Sequence, residues 1–252
     1  MRVPGVVAAM DVGRAAATGD IMAFTDDDAV PDPDWLWRIA RHFEGDQGMG
    51  AVGGRDRLAG YDDPPIPSQA VGRVHWYGRA VGGHHRGAGT PEPTDVLKGV
   101  NVAFRRAALD PVGFDQRLRG SGAQPNWEFA VCLGIRRAGW RVLYDPAVAV
   151  AHDEGPRFGA TDRRFGDLSQ LSAAAHNQTY AMIRWLSPWR KPVVLTYELV
   201  VGSRIAPGVL TALEQGFRTR QWRRVLRRLG AATRGRFDAL RTYGSVLRNR
   251  SQ

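Results

Sequence analysis

A short apolar segment, IMAF at residues 21–24, runs almost directly into three consecutive aspartates at residues 26–28. The apolar residues predict a buried strand, and Pro31 and Pro33 keep the chain after the aspartates extended. Open α/β sheets bind their ligands in the crevice beyond the carboxyl ends of the strands. The acidic turn is therefore placed to meet a ligand, and it requires a sheet behind it.

The segments around this strand alternate between helical and strand patterns, which favours an α/β domain followed by a helical appendage. A glycine- and proline-rich connection at residues 59–93, helical only over 68–81, is expected to cover a site. Asp145-Pro146 predicts a hinge between two strands within 141–152. The other predicted strands are 49–55 and two segments around a glycine bend in 94–109, and the predicted helices are 6–17, a helix opened by Pro33, 126–140, 161–186, 191–216 and 220–249.

Positive charge is concentrated near the C-terminus. The formal net charge is +10, and residues 187–252 hold 14 basic and 3 acidic residues. The helix predicted at 220–249 is expected either to lie on an anionic membrane surface or to cover the catalytic domain with a solvated arginine face. A nucleic-acid binder is a third alternative, but no reading motif supports it. The apolar stripe of this helix consists of Trp222, Val225, Leu226, Leu229, Phe237, Leu240 and Leu247.

The cysteine count and the apolar runs bear on location. The single Cys132 excludes an intramolecular disulfide and a multi-cysteine zinc site. No apolar run reaches the roughly 18 residues that span a bilayer, and the first residues lack the apolar core of a signal peptide. We therefore expect a cytoplasmic protein that is at most peripheral at the inner face of the cell membrane.

The aspartate triplet is best explained by a metal ion. Adjacent carboxylates repel one another, and a hard cation such as Mg²⁺ or Mn²⁺ relieves this repulsion while keeping coordination positions for a substrate phosphate. The alternative is a solvated acidic turn, with Asp32 and Asp34 as helix caps. A calcium loop of the EF-hand type fits poorly, because the glycine and the closing glutamate are absent at the required offsets.

Three separated motifs resemble the family 2 glycosyltransferases: AAATGDIMAFTDDDAVPDPDWL at 15–36, GVNVAFRRAAL with GFDQRL in 99–118, and RRAGWRVLYDPAVAVAH at 136–152. The resemblance implies transfer of a sugar from a nucleotide-sugar donor to a carbohydrate or lipid-linked acceptor. It also implies a GT-A-like (Rossmann-like) mixed sheet flanked by helices. The glycosyltransferase domain would occupy residues 1–160, and a basic, mainly helical region would occupy 161–252.

The resemblance assigns roles to the acidic turn and to the end of the last strand. In the family this turn is the D-x-D motif, so Asp28 would be the direct metal ligand, and Asp26 and Asp27 would bind the donor. His152 falls where family members often have a histidine near the metal and the diphosphate. Without that pairing, a lone histidine at a strand end is usually a surface or core residue.

Two further motifs correspond to the donor pocket and the general base. Gly99 and Asn101 match a glycine-x-asparagine bend that lines the donor sugar, although such a bend also simply permits a bulge. The family's Glu-Asp pair falls on Trp127 and Glu128, so only one carboxylate is kept. Glu128 would act as the base in a single inverting displacement; alternatively it is an ordinary first-turn glutamate favoured by the helix dipole.

The beginning of the chain departs from the family pattern. The chain is expected to lack the leading strands that bind the nucleotide, and Met10 and Asp11 stand where Arg and Asn are usual. An inactive or partner-dependent remnant that acts as a binding module is therefore the alternative to an enzyme. The Gln-x-x-Arg-Trp motif of processive synthases is absent, which favours an enzyme that adds a single sugar.

Overall fold

A mixed sheet of six strands forms the centre of the computed structural model, which describes residues 5–60, 63–120, 122–153 and 167–250. The strand order is β1-β9-β3-β10-β2, and β8 also pairs with β10. Only β3 and β10 run parallel to each other within this sheet. The strands are β1 Ile21–Thr25, β2 Ala29–Pro31, β3 Met49–Leu58, β4 Ile66–Pro67, β5 Arg73–Val74, β6 Ala80–Val81, β7 Gly87–Ala88, β8 Glu92–Pro93, β9 Asn101–Arg105 and β10 Arg141–His152.

Helices pack on both faces of the sheet. They are α1 Val6–Ala16, α2 Trp35–Gly45, α3 Arg106–Leu109, α4 Trp127–Arg137, α5 Leu168–Trp185, α6 Arg190–Val200, α7 Val209–Thr219 and α8 Trp222–Arg250. The α2 helix packs Trp35, Ile39 and Phe43 on one face of the sheet, next to Ala103. Phe104, the next residue of β9, joins the core on the other face, as the two-residue period of a strand requires.

The last strand is continuous where the sequence predicts two strands. Asp145 pairs with Gly54 of β3, and Ala149 pairs with the next residue of β3, Arg55, so the register shifts between Asp145 and Ala149. The extra residues form a bulge, as expected where one strand carries more residues than its partner. A Cβ on Gly54 would lie 1.9 Å from the carbonyl oxygen of Val148, so the bulge requires glycine there.

Three other predictions of secondary structure are wrong in detail. Residues 68–81 form a 3₁₀ turn, Ser68–Ala70, and the β5–β6 pair in place of a helix, because Gly72 and Gly78 have φ of 63° and 103°. Residues 94–100 form no strand. The predicted helix 191–216 is divided into α6 and α7, since Gly202 at φ 64° ends the first helix.

The C-terminal helices share their core with the sheet. Tyr180 of α5 and Ala239 of α8 belong to the same buried cluster as Met22 of β1 and Trp127 of α4. No helix within the described ranges has the length and apolar content that a membrane span needs. The proposed boundary at residue 160 and the first residues of the predicted 161–186 helix lie outside the described residues.

The α8 helix packs through small residues at intervals of seven, and not through the predicted apolar stripe. The buried residues Val225, Ala232, Ala239 and Val246 lie on the packed face, and a Cβ on Gly235 would be 2.1 Å from the carbonyl oxygen of Ser172 on α5. The two backbones therefore touch. Of the predicted stripe only Val225 is buried, and Trp222, Leu226, Phe237, Leu240 and Leu247 are exposed.

A buried ion pair joins three of these helices. Nε of Arg236 on α8 lies 3.1 Å from Oε2 of Glu198 on α6, and Nε2 of Gln178 on α5 donates to the other carboxylate oxygen at 3.0 Å. The rest of the guanidinium donates to the carbonyl oxygens of Ala206 and Pro207. Burial raises the pKa of Glu198, although Arg236 opposes the shift.

Replacing Arg236 by Met is expected to lower the free energy of unfolding by about 3–5 kcal/mol, because it leaves Glu198 as an unpaired buried carboxylate. Urea denaturation measures the change. Arg234→Met, at an exposed position of the same helix, is the matched control and should change stability by less than about 0.5 kcal/mol. The double variant Glu198→Leu/Arg236→Met should recover much of the loss. Equal stability of the two single variants would contradict a structural role for the pair.

Candidate active site

The acidic turn lies beside the end of β10. After the turn the chain forms β2, whose Ala29 pairs with His152, and the backbone N–H of Asp153 donates to the carbonyl oxygen of Asp28 at 3.2 Å. One ligand atom each of Asp26, Asp28 and His152 lies within 4.8 Å of the others. Asp27 is exposed and lies outside this group. Two of the three aspartates thus converge on the predicted histidine.

His152 is held from its other side by a buried carboxylate. Its Nδ1 lies 3.0 Å from Oδ1 of Asp56, and both side chains are fully buried. Because Asp56 can only accept when ionised, Nδ1 carries the hydrogen of this bond, and Nε2 is the nitrogen that faces the acidic turn. The other oxygen of Asp56 contacts Nζ of Lys98. The imidazole therefore has a fixed tautomer and a fixed orientation.

The arrangement leaves two acceptors facing each other. Nε2 of His152 and Oδ1 of Asp28 are 3.2 Å apart, and both atoms are buried with no hydrogen-bond partner in the described parts of the chain. Two lone pairs at this distance repel unless a cation or a proton lies between them. A nitrogen and carboxylate oxygens, with a carboxylate behind the histidine, form a donor set that suits a divalent metal ion. The residues present therefore fit the metal that the sequence predicts.

Glu128 is bound to the predicted donor bend. It lies in the first turn of α4, and its Oε1 accepts from the backbone N–H of Gly99 at 3.1 Å. A Cβ at residue 99 would be 2.5 Å from the Trp127 ring and 3.1 Å from that carboxylate oxygen. Only glycine allows this approach.

The surroundings of Glu128 make its carboxylate more basic. Burial raises the pKa of Glu128, the backbone N–H groups of Glu128 and Gly99 together with Lys98 lower it, and the charge of Asp26 raises it further. The net direction is upward. Glu128 accepts from Gly99, the neighbour of Lys98, and Lys98 contacts the Asp56 carboxylate that holds His152, so Glu128 lies next to the residues of the acidic turn.

Asn101 lies at the site, but its side-chain amide forms hydrogen bonds to other residues of the protein. Its side-chain amide donates to the carbonyl oxygens of Val148 and Arg55 at 2.8 and 3.1 Å, and its Oδ1 accepts from Nε1 of Trp35 at 2.8 Å. These bonds join β9 to the bulge of β10 and to α2. A direct contact of Asn101 with the donor stays a prediction.

Asp56 and Lys98 are site residues that sequence reasoning missed. Asp56 comes near the end of β3, like the aspartates near the end of β1, but its role depends on a partner 96 residues away. Lys98 had a visible signal, because it is one of two lysines in the chain and precedes the glycine bend. Asp11, which departs from the expected family pattern, forms an ion pair with Arg14, and Arg14 also pairs with Asp110.

Comparison with known proteins gives consistent results. The family described as "Glycosyltransferase like family 2" matches residues 2–166. The glucosyl-dolichyl phosphate glucuronosyltransferase of Haloferax volcanii is 30% identical over 148 residues, which cover 56% of this chain and 45% of that protein. The chain thus spans less than half the length of this relative.

Two solved structures have a similar fold. The crystal structure of S. aureus TarS 1–349 in complex with UDP-GlcNAc gives a TM-score of 0.55 at 12% identity, covering 98% of this chain and 73% of that one. The structure of GalNAc-T7 with UDP, GalNAc and Mn²⁺ gives 0.56 at 14% identity, covering 90% and 43%. The predicted family and fold are confirmed: the chain belongs to the family 2 glycosyltransferases and has the GT-A fold.

Proposed function

We propose that this chain transfers a sugar from a nucleotide-diphosphate sugar to an acceptor hydroxyl in one inverting, metal-dependent displacement. The observation that carries this proposal is the convergence of Asp26, Asp28 and His152 in one site with Glu128, which is bound to Gly99. The group of Asp26, Asp28 and His152 is suited to a diphosphate with its cation, and Glu128 offers a base.

Glu128 is the proposed general base. Its carboxylate takes the proton of the acceptor hydroxyl while the acceptor oxygen bonds to the anomeric carbon. The bond from that carbon to the diphosphate oxygen breaks, and the nucleoside diphosphate leaves with the electron pair. The raised pKa of Glu128 suits this role, since a more basic carboxylate accepts a proton more readily.

Mg²⁺ or Mn²⁺ is the proposed metal, with Asp28 and His152 as ligands and Asp26 beside them. When bound, it neutralises charge that develops on the departing diphosphate. Asp26, Asp27 and Gly99 are proposed to contact the donor, and Asn101 to hold the bend that carries Gly99. The similar GalNAc-T7 structure contains UDP, GalNAc and Mn²⁺, which is consistent with a divalent metal ion at a nucleotide-sugar site.

The acceptor is proposed to be a carbohydrate or a lipid-linked sugar. The name of the Haloferax volcanii relative describes transfer to glucosyl-dolichyl phosphate, which is consistent with a lipid-linked acceptor. The relative is matched over only 45% of its length, so donor and acceptor must be determined directly. A cytoplasmic site of action remains a prediction.

Asp28→Asn is expected to weaken Mn²⁺ binding at least about tenfold, because a neutral amide replaces a charged ligand. Titration of Mn²⁺ followed by electron paramagnetic resonance measures the affinity without any substrate. Asp20→Asn is the matched control, because Asp20 is exposed and precedes the first residue of β1, at the end away from the acidic turn. It should bind Mn²⁺ like the wild type. Equal affinities in all three proteins would show that the site does not hold the metal.

Asp56→Asn is expected to weaken Mn²⁺ binding by about 10–100-fold, although Asp56 touches no metal, because the partner of a ligating histidine orients it. The same titration measures the effect. Lys98→Met removes the other partner of Asp56 but keeps the contact between Asp56 and His152. It therefore measures the effect of losing the Asp56–Lys98 pair alone. Thermal melting identifies variants that fail to fold. A folded Asp56→Asn protein with wild-type affinity would refute the positioning role.

Glu128→Gln is expected to lower kcat/KM by about 10²–10⁴-fold, because an amide cannot accept the acceptor proton. The assay measures transfer from a panel of UDP and GDP sugars with Mn²⁺. In the wild type, kcat/KM should fall as the pH drops through the raised pKa of Glu128, above the value of about 4.3 for an ordinary glutamate.

Glu128→Asp keeps a carboxylate and should retain part of the activity, and Glu44→Gln, at an exposed position of α2, is the neutral control. Full activity of Glu128→Gln would remove Glu128 from the mechanism. If no donor supports transfer, and none raises the melting temperature in the presence of Mn²⁺, the transferase proposal is rejected and a binding module is favoured.

A further inference from the structure

The last two helices expose a set of large apolar side chains. Phe217 of α7 is 73% exposed, and its ring meets that of Trp222 at the start of α8 edge to face, with centroids 5.1 Å apart. This contact joins the exposed apolar residues of the two helices. We name them the α7–α8 surface, and its residues are Leu210, Leu213, Phe217, Trp222, Leu226, Phe237, Leu240 and Leu247.

The exposure follows from how the two helices pack. The buried residues of α7 are Ala212 and Gly216, and a Cβ at residue 216 would be 2.2 Å from the Trp222 ring. The α8 helix likewise packs through small residues, such as Ala232 and Ala239. In both helices the buried apolar side chains are no larger than valine, and the large apolar side chains of the α7–α8 surface remain in solvent.

A row of exposed arginines runs beside this apolar surface. Arg227, Arg234, Arg241 and Arg248 follow one another at intervals of seven on α8, and all are exposed. With a rotation of about 100° per residue, the order around α8 is the buried face, then the apolar stripe, then this arginine row. The stripe is thus bounded by the protein on one side and by cations on the other.

The charge along residues 204–228, which include α7 and the start of α8, is almost entirely positive. Residues 204–228 contain seven arginines and a single acidic residue, Glu214. In the described parts of the chain, no carboxylate lies within ion-pair distance of five of these arginines, which are Arg218, Arg220, Arg223, Arg224 and Arg227. The surface therefore offers apolar area and uncompensated positive charge together.

These properties select among the partners that could cover the surface. A second copy of the chain would bring the same arginines against each other, because a two-fold interface pairs identical patches. A nucleic acid would match the charge but leaves the exposed leucines and phenylalanines unexplained. A bilayer with anionic headgroups matches both features, since apolar side chains enter the acyl boundary while cations contact the phosphates, and tryptophan prefers that interface.

We propose that the α7–α8 surface docks the enzyme on an anionic lipid bilayer. Phe217 and Leu226 insert below the headgroups, and the arginine row of α8 lies among the lipid phosphates. The proposal requires neither the donor nor the metal, so it is independent of the proposed transferase activity.

Flotation with phosphatidylcholine vesicles, with and without 30 mole per cent phosphatidylglycerol, tests the proposal. The wild type should bind the anionic vesicles, and the binding should weaken as salt increases. Phe217→Ser/Leu226→Ser should reduce the affinity by about tenfold or more, because two inserted apolar side chains are removed. Arg227→Gln/Arg234→Gln should reduce it roughly 10–30-fold, at about 1 kcal/mol for each arginine.

Val12→Ser/Leu36→Ser is the matched control, because these side chains are 61% and 64% exposed on α1 and α2. It should bind vesicles like the wild type. Absence of vesicle binding, or binding that the Phe217→Ser/Leu226→Ser change leaves intact, overturns the proposal. Sedimentation that shows a dimer dissociated by that change would assign the surface to a second copy, and salt-sensitive DNA binding without vesicle binding would assign it to nucleic acid.

Discussion

The parallel pairing of β3 with β10 is the constraint on which the site depends. It brings Asp56 opposite Val150 and Leu58 opposite His152, so the buried carboxylate and the histidine meet at the same end of the sheet. Both strands are long, which lets their ends extend past the core toward the acidic turn. The short strand β2, which follows the turn and pairs with β10, then fixes the turn against the end of β10. Without this register, the aspartates would have no imidazole to face.

The bulge in β10 belongs to the same constraint. It adjusts the register so that the second half of the strand, with His152 at its end, still pairs with β3. Asn101 holds the bulge by donating to the carbonyl oxygen of Val148 and begins the strand after the bend at Gly99. The predicted donor bend, the candidate base and the candidate metal ligands are therefore connected through the strand pairing and through the side-chain hydrogen bonds of Glu128 and Asn101.

Local patterns predicted local features well. The strand at 21–24 with its acidic turn, and the bend at residues 99–101, are each formed by consecutive residues, so their composition was informative. Asp56 was missed because its partner is distant along the chain. The helix predicted at 68–81 failed where Gly72 and Gly78 take positive φ. The packed face of α8 was predicted wrongly because the rule that large apolar residues are buried fails where alanine, valine and glycine allow close helix contact.

The pairing of Arg236 with Glu198 has a consequence for how this sequence can change over time. Among the described residues, Arg236 is the one arginine that is buried, although 33 of the 35 basic residues of the chain are arginines. In the proposed bilayer contact the exposed arginines of α8 act through their summed charge, so they can be exchanged for lysine or moved to a neighbouring position. Arg236 is fixed by three specific acceptors, on Glu198, Ala206 and Pro207, and by the space around it. Two arginines of the same helix, Arg234 and Arg236, are thus expected to drift at very different rates.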